Sequence, residues 1–254
     1  IPTDKVLFAG LIALLSDFIK NLGTGERIYV HCKGGHGRSA LVVSCILHDM
    51  YRFNAEQVIE LTTTFHTERP KLKSKWRNVV CPHHRFQRKY VYNFCEQIVV
   101  SRGSKSTISN CLLLSSKFSV ETELGIFPTA ESALFAYKNS HNKKLVEGLK
   151  GYDRIGMLRQ TSALRQSDSD SWLRVRLDFL ERILMARIDQ WNELRDTTVG
   201  TCLRPILYHC QGEGIGDFVS TVDRNLALPV VLEKIRRKLL LDHYTSSIDN
   251  VTFS

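Results

Sequence analysis

No apolar run in this chain approaches the roughly 20 residues that a membrane-spanning helix needs, and no signal-peptide pattern opens it. Both absences point to a cytoplasmic, or alternatively nuclear, protein. The seven cysteines include no Cys-x-x-Cys and show no close pairing, so a reducing compartment is the simpler reading. Acidic residues are in deficit. The formal net charge is +9, and residues 1–100 hold 14 Lys and Arg against 8 Asp and Glu, a bias that suits a phosphorylated or polyanionic substrate. A length of 254 residues suggests two domains of moderate size, and Ile1 in place of Met implies sequence upstream.

The stretch from Tyr29 to Ala40 has no acid at all. Ile28-Tyr29-Val30 reads as a short buried strand, and Leu41 onward begins a helix that runs to about Tyr51. Between them lies a turn with three glycines, Gly34, Gly35 and Gly37, one thiol and one guanidinium. Glycines let successive backbone N–H groups turn inward, and the following helix adds the partial positive charge of its N-terminus, which together make an anion cradle. The donors that hold phosphate also stabilise S⁻, so Cys32 is expected to be a thiolate; such sites lower a thiol from about 8.5 to roughly 3.5–7.5. Arg38 can fold back and hold two phosphate oxygens with its planar fork. Ser39 is placed to donate to the sulfur as it leaves.

His31-Cys32, five intervening residues and Arg38-Ser39 resemble the signature of the cysteine-dependent protein tyrosine and dual-specificity phosphatases. The resemblance implies Cys32 as nucleophile, Arg38 as phosphate clamp, Ser39 as an aid to breakdown of the thioenzyme and His31 as tuner of the Cys32 pKa. Lys33, Gly34, Gly35, His36, Gly37 and Arg38 would hold the phosphate, with no metal and no cofactor. A general acid is needed because the leaving oxygen departs more easily when protonated. Asp4 matches the family's upstream aspartate, or else is the N-cap of the first helix. The implied substrate is a phosphorylated protein, with inositol phospholipids or RNA 5′ ends as alternatives because Lys33 and His36 make the cradle more basic. A non-catalytic phosphate-binding module is the rival from another class.

This resemblance covers residues 1–100 and implies an α/β fold, a phosphatase-type sheet flanked by helices. Members of the family carry several strands before the general-acid loop that are missing here, which would expose a sheet edge unless a longer parent chain supplied them. Residues 7–20 have the period of an amphipathic helix, ended by Gly23-Thr24-Gly25, and Asn54 with Gln57 three positions on reads as the cap of another, through about His66. The basic run Arg69 to Arg77, with Trp76 inside it, is compatible with phosphorylated partners, nucleic acid or a solvated face. Pro82 to Gln97 reads as a closing helix in which Gln87 orients hydrolytic water or faces solvent. Cys81, His83 and His84 lack a second Cys/His pair and make a weak zinc signal.

Residues 101–109 are small and polar and read as a linker. Beyond it, Phe127-Pro128-Thr129-x-Glu131, Trp172-xxx-Arg176 and the late Gly212-x-Gly214 resemble the NADAR (YbiA-like) family, mostly helical domains linked to ADP-ribose chemistry and N-glycosidic bond hydrolysis. The resemblance implies a mostly helical α+β domain over 110–254. Glu131 would be its acid/base carboxylate, Lys138 a nearby cation and Trp172 a pocket wall, with an ADP-ribosylated or nucleotide ligand. Against that family, the loop Gly212 to Gly216 carries no Trp. Glu131 and Lys138 are equally an exposed pair on one helix, and Trp172 a core residue. Residues 228–241 read as a closing amphipathic helix that packs on this second domain.

Overall fold

Asp4 starts the first helix. Its carboxylate accepts the Leu7 N–H at 2.9 Å, satisfying one of the donors that a helix N-terminus leaves over. The computed structural model describes residues 1–101, 104–151, 170–209 and 221–249. These fall into two units, the first made of Ile1–Gln97, Thr201–Pro205 and residues from Arg237, the second of Ile98–Gly200 and Ile206–Arg236.

Unit 1 is helical. Helices α1 (Lys5–Lys20), α3 (Ala55–Thr67) and α4 (Arg85–Cys95) each pack on α2 (Arg38–Tyr51). The apolar period of the sequence turns Ala9, Ile12 and Ala13 of α1, Leu41 and Cys45 of α2, Val58 of α3 and Val91 of α4 into one buried core. Phe8 meets Tyr90 and Phe94 of α4 edge-on, at 5.5 and 6.5 Å between ring centres. Asn54 and Gln57 close α3 with a reciprocal pair of hydrogen bonds, both 2.9 Å, as the sequence suggested.

Two expectations change here. Ile28-Tyr29-Val30 is not a buried strand: it has no ladder, and Tyr29 is 86% exposed. An extended segment becomes a strand only when a neighbour takes up its backbone groups, and no described residue of unit 1 is in a strand. The phosphatase-type sheet is therefore not seen among the described residues of unit 1, and the strands described for this α/β chain lie in unit 2. Second, residues 237–249 belong to unit 1 rather than to the second domain. Arg237 donates to Asp17 of α1 at 2.7 Å and to Asp49 of α2 at 2.9 Å, and Asp49 is almost fully buried. Gly10 of α1 permits this approach, since a Cβ there would sit 2.7 Å from the Leu240 carbonyl oxygen and from Tyr244.

In unit 2, β1 (Ile98–Ser101) pairs in parallel with β4 (Ile206–His209), and β2 (Val120–Thr122) with β3 (Gly125–Phe127) as an antiparallel hairpin. Helices α5 (Thr107–Leu112), α6 (Ala130–Lys138), α7 (Lys143–Gly151), α8 (Asp170–Gln190) and α9 (Asn192–Gly200) complete it with the first part of α10 (Thr221–Asp249). Ser101 thus ends a strand and Thr107 starts a helix, so the stretch read as a linker is partly structured. Its small residues serve as caps: Ser106 accepts from Ser109 N, and Ser109 Oγ bridges to Ser101. Arg187 of α8 is buried and donates to the carbonyls of Cys111 and Leu113 at 2.9 and 3.1 Å, and burial draws its pKa down to about 10.

Candidate active site

The loop that leads into α2 wraps around one sulfur. Cys32 Sγ accepts the Gly35 N–H at 3.2 Å and the Ser39 hydroxyl at 3.0 Å. Burial on its own would raise this thiol. The hydroxyl of Ser39 and the backbone N–H groups of Ser39, Gly34 and Gly35 outweigh it and bring the pKa from 9.0 to about 6. Near neutral pH the sulfur is an anion that is still partly exposed. Gly35 makes the turn possible at φ +72°, a region that L side chains rarely adopt, and a Cβ there would meet Arg69 Nη1 at 2.4 Å. Gly37 is the N-cap of α2 and its carbonyl accepts from Leu41 N at 2.9 Å.

The other residues expected at this site are placed as follows. Ser39 is buried beneath the sulfur. Arg38 opens α2 with its side chain exposed, and Lys33 is exposed on the loop. His31 is turned aside and stacks on Tyr29 with 5.4 Å between ring centres. The lowering of the Cys32 pKa is therefore accounted for by Ser39 and the loop amides, and not by His31. Asp4 takes the second of the two roles open to it, as cap of α1. Gln87 lies against the loop, where its side-chain oxygen would stand 3.0 Å from a Cβ at Gly37; it also closes the reciprocal cap of α4 with His84.

His36 is held from several sides. Its carbonyl accepts the His83 N–H at 2.7 Å, and its ring stacks on Trp76 at 4.0 Å and 14°. Its Nδ1 lies 2.5 Å from His66 Nε2 and 3.4 Å from Arg69 Nη2. Burial, then the nearby Arg69 and His36, lower His66 to about 4; burial, Arg69 and His83 lower His36. Both rings are thus neutral at pH 7. Thr63 of α3 fixes the preceding turn by accepting the Cys81 N–H at 3.0 Å, and Arg88 holds the carbonyls of Pro82 and His83 at 2.9 and 2.6 Å. Cys81 is buried and His84 caps α4. Sequence reasoning missed His66 altogether, since a lone histidine in a helix carries no signal. The place of Trp76 and Arg69 was marked only by the basic run around them.

Beside the loop opens a cleft of about 800 Å³, lined on one side by Lys33, Gly34 and His36 and on the other by residues from Arg69 to Trp76. In unit 2, Glu131 is buried in the first turn of α6 and Lys138 lies in its last turn. Trp172 is buried with its ring stacked on Phe179 at 5.9 Å, the placement of a core residue. The glycine-rich stretch 212–217 lies outside the described residues. None of the helices among the described residues is long and apolar enough to cross a membrane.

Over 103 residues the chain is 30% identical to "Putative tyrosine phosphatase 067L" of Invertebrate iridescent virus 3, a span of 40% of this chain and 42% of that relative. Over 68 residues it is 37% identical to "Putative tyrosine phosphatase 197R" of Invertebrate iridescent virus 6, spanning 27% of this chain and 26% of that one. The matches therefore cover less than half the length of these relatives. No family model and no solved structure matches the chain. The two partial relatives support a phosphatase-like family.

Proposed function

We propose that unit 1 hydrolyses phosphomonoesters through a phosphocysteine intermediate, in the manner of tyrosine and dual-specificity phosphatases, with a phosphorylated protein as substrate. The observation that carries this reading is the Cys32 sulfur accepting from Gly35 N and Ser39 Oγ at the mouth of a glycine loop. In the first step the Cys32 lone pair forms an S–P bond as the P–O bond to the leaving group breaks. The loop N–H groups and Arg38 take up the charge on the equatorial oxygens. Asp4 is engaged at the cap of α1, so we assign it no proton transfer; phenolate, a comparatively stable leaving group, suits a site that relies on loop electrostatics.

In the second step water forms a new P–O bond and the S–P bond breaks, returning the electron pair to sulfur and the water proton to solvent. Ser39 Oγ, 3.0 Å from Sγ, donates to the departing thiolate. Gln87, beside Gly37, is placed to orient that water. No chemistry is assigned to unit 2. Turnover of p-nitrophenyl phosphate by the whole chain tests the proposal: wild type should release nitrophenol, and Cys32→Ser should reduce release to background while phosphate still binds. Equal turnover by the two proteins refutes it.

A further inference from the structure

The geometry points to Arg69 and His66 as positioning residues of the glycine loop: acting through the His36 ring, they brace the Gly34–Gly35 backbone from the side away from Cys32 and so keep its amides on the sulfur. This deepens the phosphatase reading of the loop and rests on it for any consequence in turnover. The Gly35 N–H donates to Cys32 Sγ at 3.2 Å, and the amides of Gly34 and Gly35 both lower the thiol. On those same two residues a Cβ would stand 2.9 Å from His36 Nε2 at Gly34 and 2.4 Å from Arg69 Nη1 at Gly35. The loop therefore meets the sulfur with its N–H groups, and meets His36 and Arg69 where side chains would project.

The hydrogen bonds behind the loop allow one arrangement of protons. A guanidinium has five N–H donors and no acceptor. His36 Nδ1, 3.4 Å from Arg69 Nη2, therefore presents a lone pair, and its 2.5 Å contact with His66 Nε2 has to be made by the His66 N–H. Each ring thus carries its proton on Nε2. His66 Nδ1 is then a bare lone pair, which agrees with its being buried with no hydrogen-bond partner among the described residues.

The brace is itself held. Arg69 Nε donates to the His66 carbonyl at 3.2 Å, and His66 lies buried in the last turn of α3. Trp76 stacks on the His36 ring at 4.0 Å, and the His36 carbonyl accepts from His83. Arg69 is not among the groups that lower Cys32, and both histidines are neutral at pH 7, so the three side chains place the amides rather than supply charge. How far two amides stabilise a thiolate depends on where they point, and side chains locked by packing and hydrogen bonds set that direction.

The test uses the whole chain and reads the sulfur directly, by the pH midpoint of iodoacetamide alkylation, beside p-nitrophenyl phosphate turnover and thermal unfolding. His66→Leu removes the N–H donor with no change in charge at pH 7. It should raise the midpoint from about 6 by about half a unit or more, the scale of one weakened hydrogen bond, and lower kcat/KM at least about threefold. His66→Gln, whose amide N–H takes the place of the Nε2–H, should restore both. Arg69→Lys keeps the charge but cannot reach the His66 carbonyl and His36 together, so it should raise the midpoint as His66→Leu does, and it decides the matter if His66→Leu fails to fold. Ring nitrogen shifts by NMR at pH 7 should show His36 and His66 both protonated on Nε2. A midpoint that stays at about 6 in His66→Leu or Arg69→Lys, with only the melting temperature lowered, overturns the inference. So does failure of His66→Gln to restore it, or a proton found on His36 Nδ1. Because alkylation needs no substrate, a wild-type chain that alkylates at the expected midpoint yet leaves p-nitrophenyl phosphate intact would defeat the phosphatase reading, while the midpoints of the variants would still decide this one.

Discussion

Cys32 and Cys95 carry the same thiol in the same unit, one brought down to about 6 and the other pushed up to about 12. Cys95 ends α4 in the core, where burial raises it and the charge of Glu56 raises it further. Cys45, at the centre of α2, is raised by burial and then by Cys95 and Asp49. Cys32 also pays a desolvation cost, yet a hydroxyl and three backbone N–H groups reverse it. What separates a reactive sulfur from an inert one is therefore the number of donors aimed at it.

The sharpest way to break the contrast is exchange. Cys32→Ser should remove aryl phosphatase turnover, whereas Cys95→Ser should retain it, as read by nitrophenol release. Next in size is the backbone: Gly35→Ala, at φ +72° with Arg69 in the way, should cost about 1 kcal/mol or more in stability from the turn alone. It should also lower kcat/KM strongly by moving an N–H off the sulfur, and thermal unfolding read beside turnover separates the two effects. Ser39→Ala removes the hydroxyl donor, so alkylation by iodoacetamide should titrate about one unit above the wild-type midpoint of about 6. In wild type the acid limb of kcat/KM should fall at that same midpoint, since the reactive form is lost as pH drops below it.

The smallest effect concerns the wall behind the loop. The pKa of His66 in the folded chain, about 4, is below its ordinary value near 6.5, so the unfolded chain binds more protons between these limits. Stability should be fully present above about pH 6.5 and decline as pH falls toward 4. His66→Gln should flatten that decline in a series of melting temperatures, and an unchanged slope would remove His66 as its source.

Much of the loop was legible because its chemistry is local. The glycines, the thiol and the first residues of α2 are neighbours in sequence, so spacing alone places the donors around the sulfur. The cap of Asn54 with Gln57 is legible for the same reason. Ile28 to Val30 misled because strand formation depends on a partner, and apolar character does not supply one. The cleft was beyond reach, as it needs Lys33 brought opposite Lys73. So was the attachment of residues 237–249, which depends on Arg237 finding Asp17 and Asp49 about 200 positions away.

That attachment bears on how this chain can be divided. Asp49 is 5% exposed, and its hydrogen-bonded counter-charge is Arg237 of α10. A fragment cut after residue 97 would keep Cys32, yet strand a carboxylate in the centre of the helix cluster, a loss of roughly 3–5 kcal/mol for a partner removed. The apparent seam in the sequence is thus not a place to cut, since the helix that follows the loop is tied to a residue 188 positions further along.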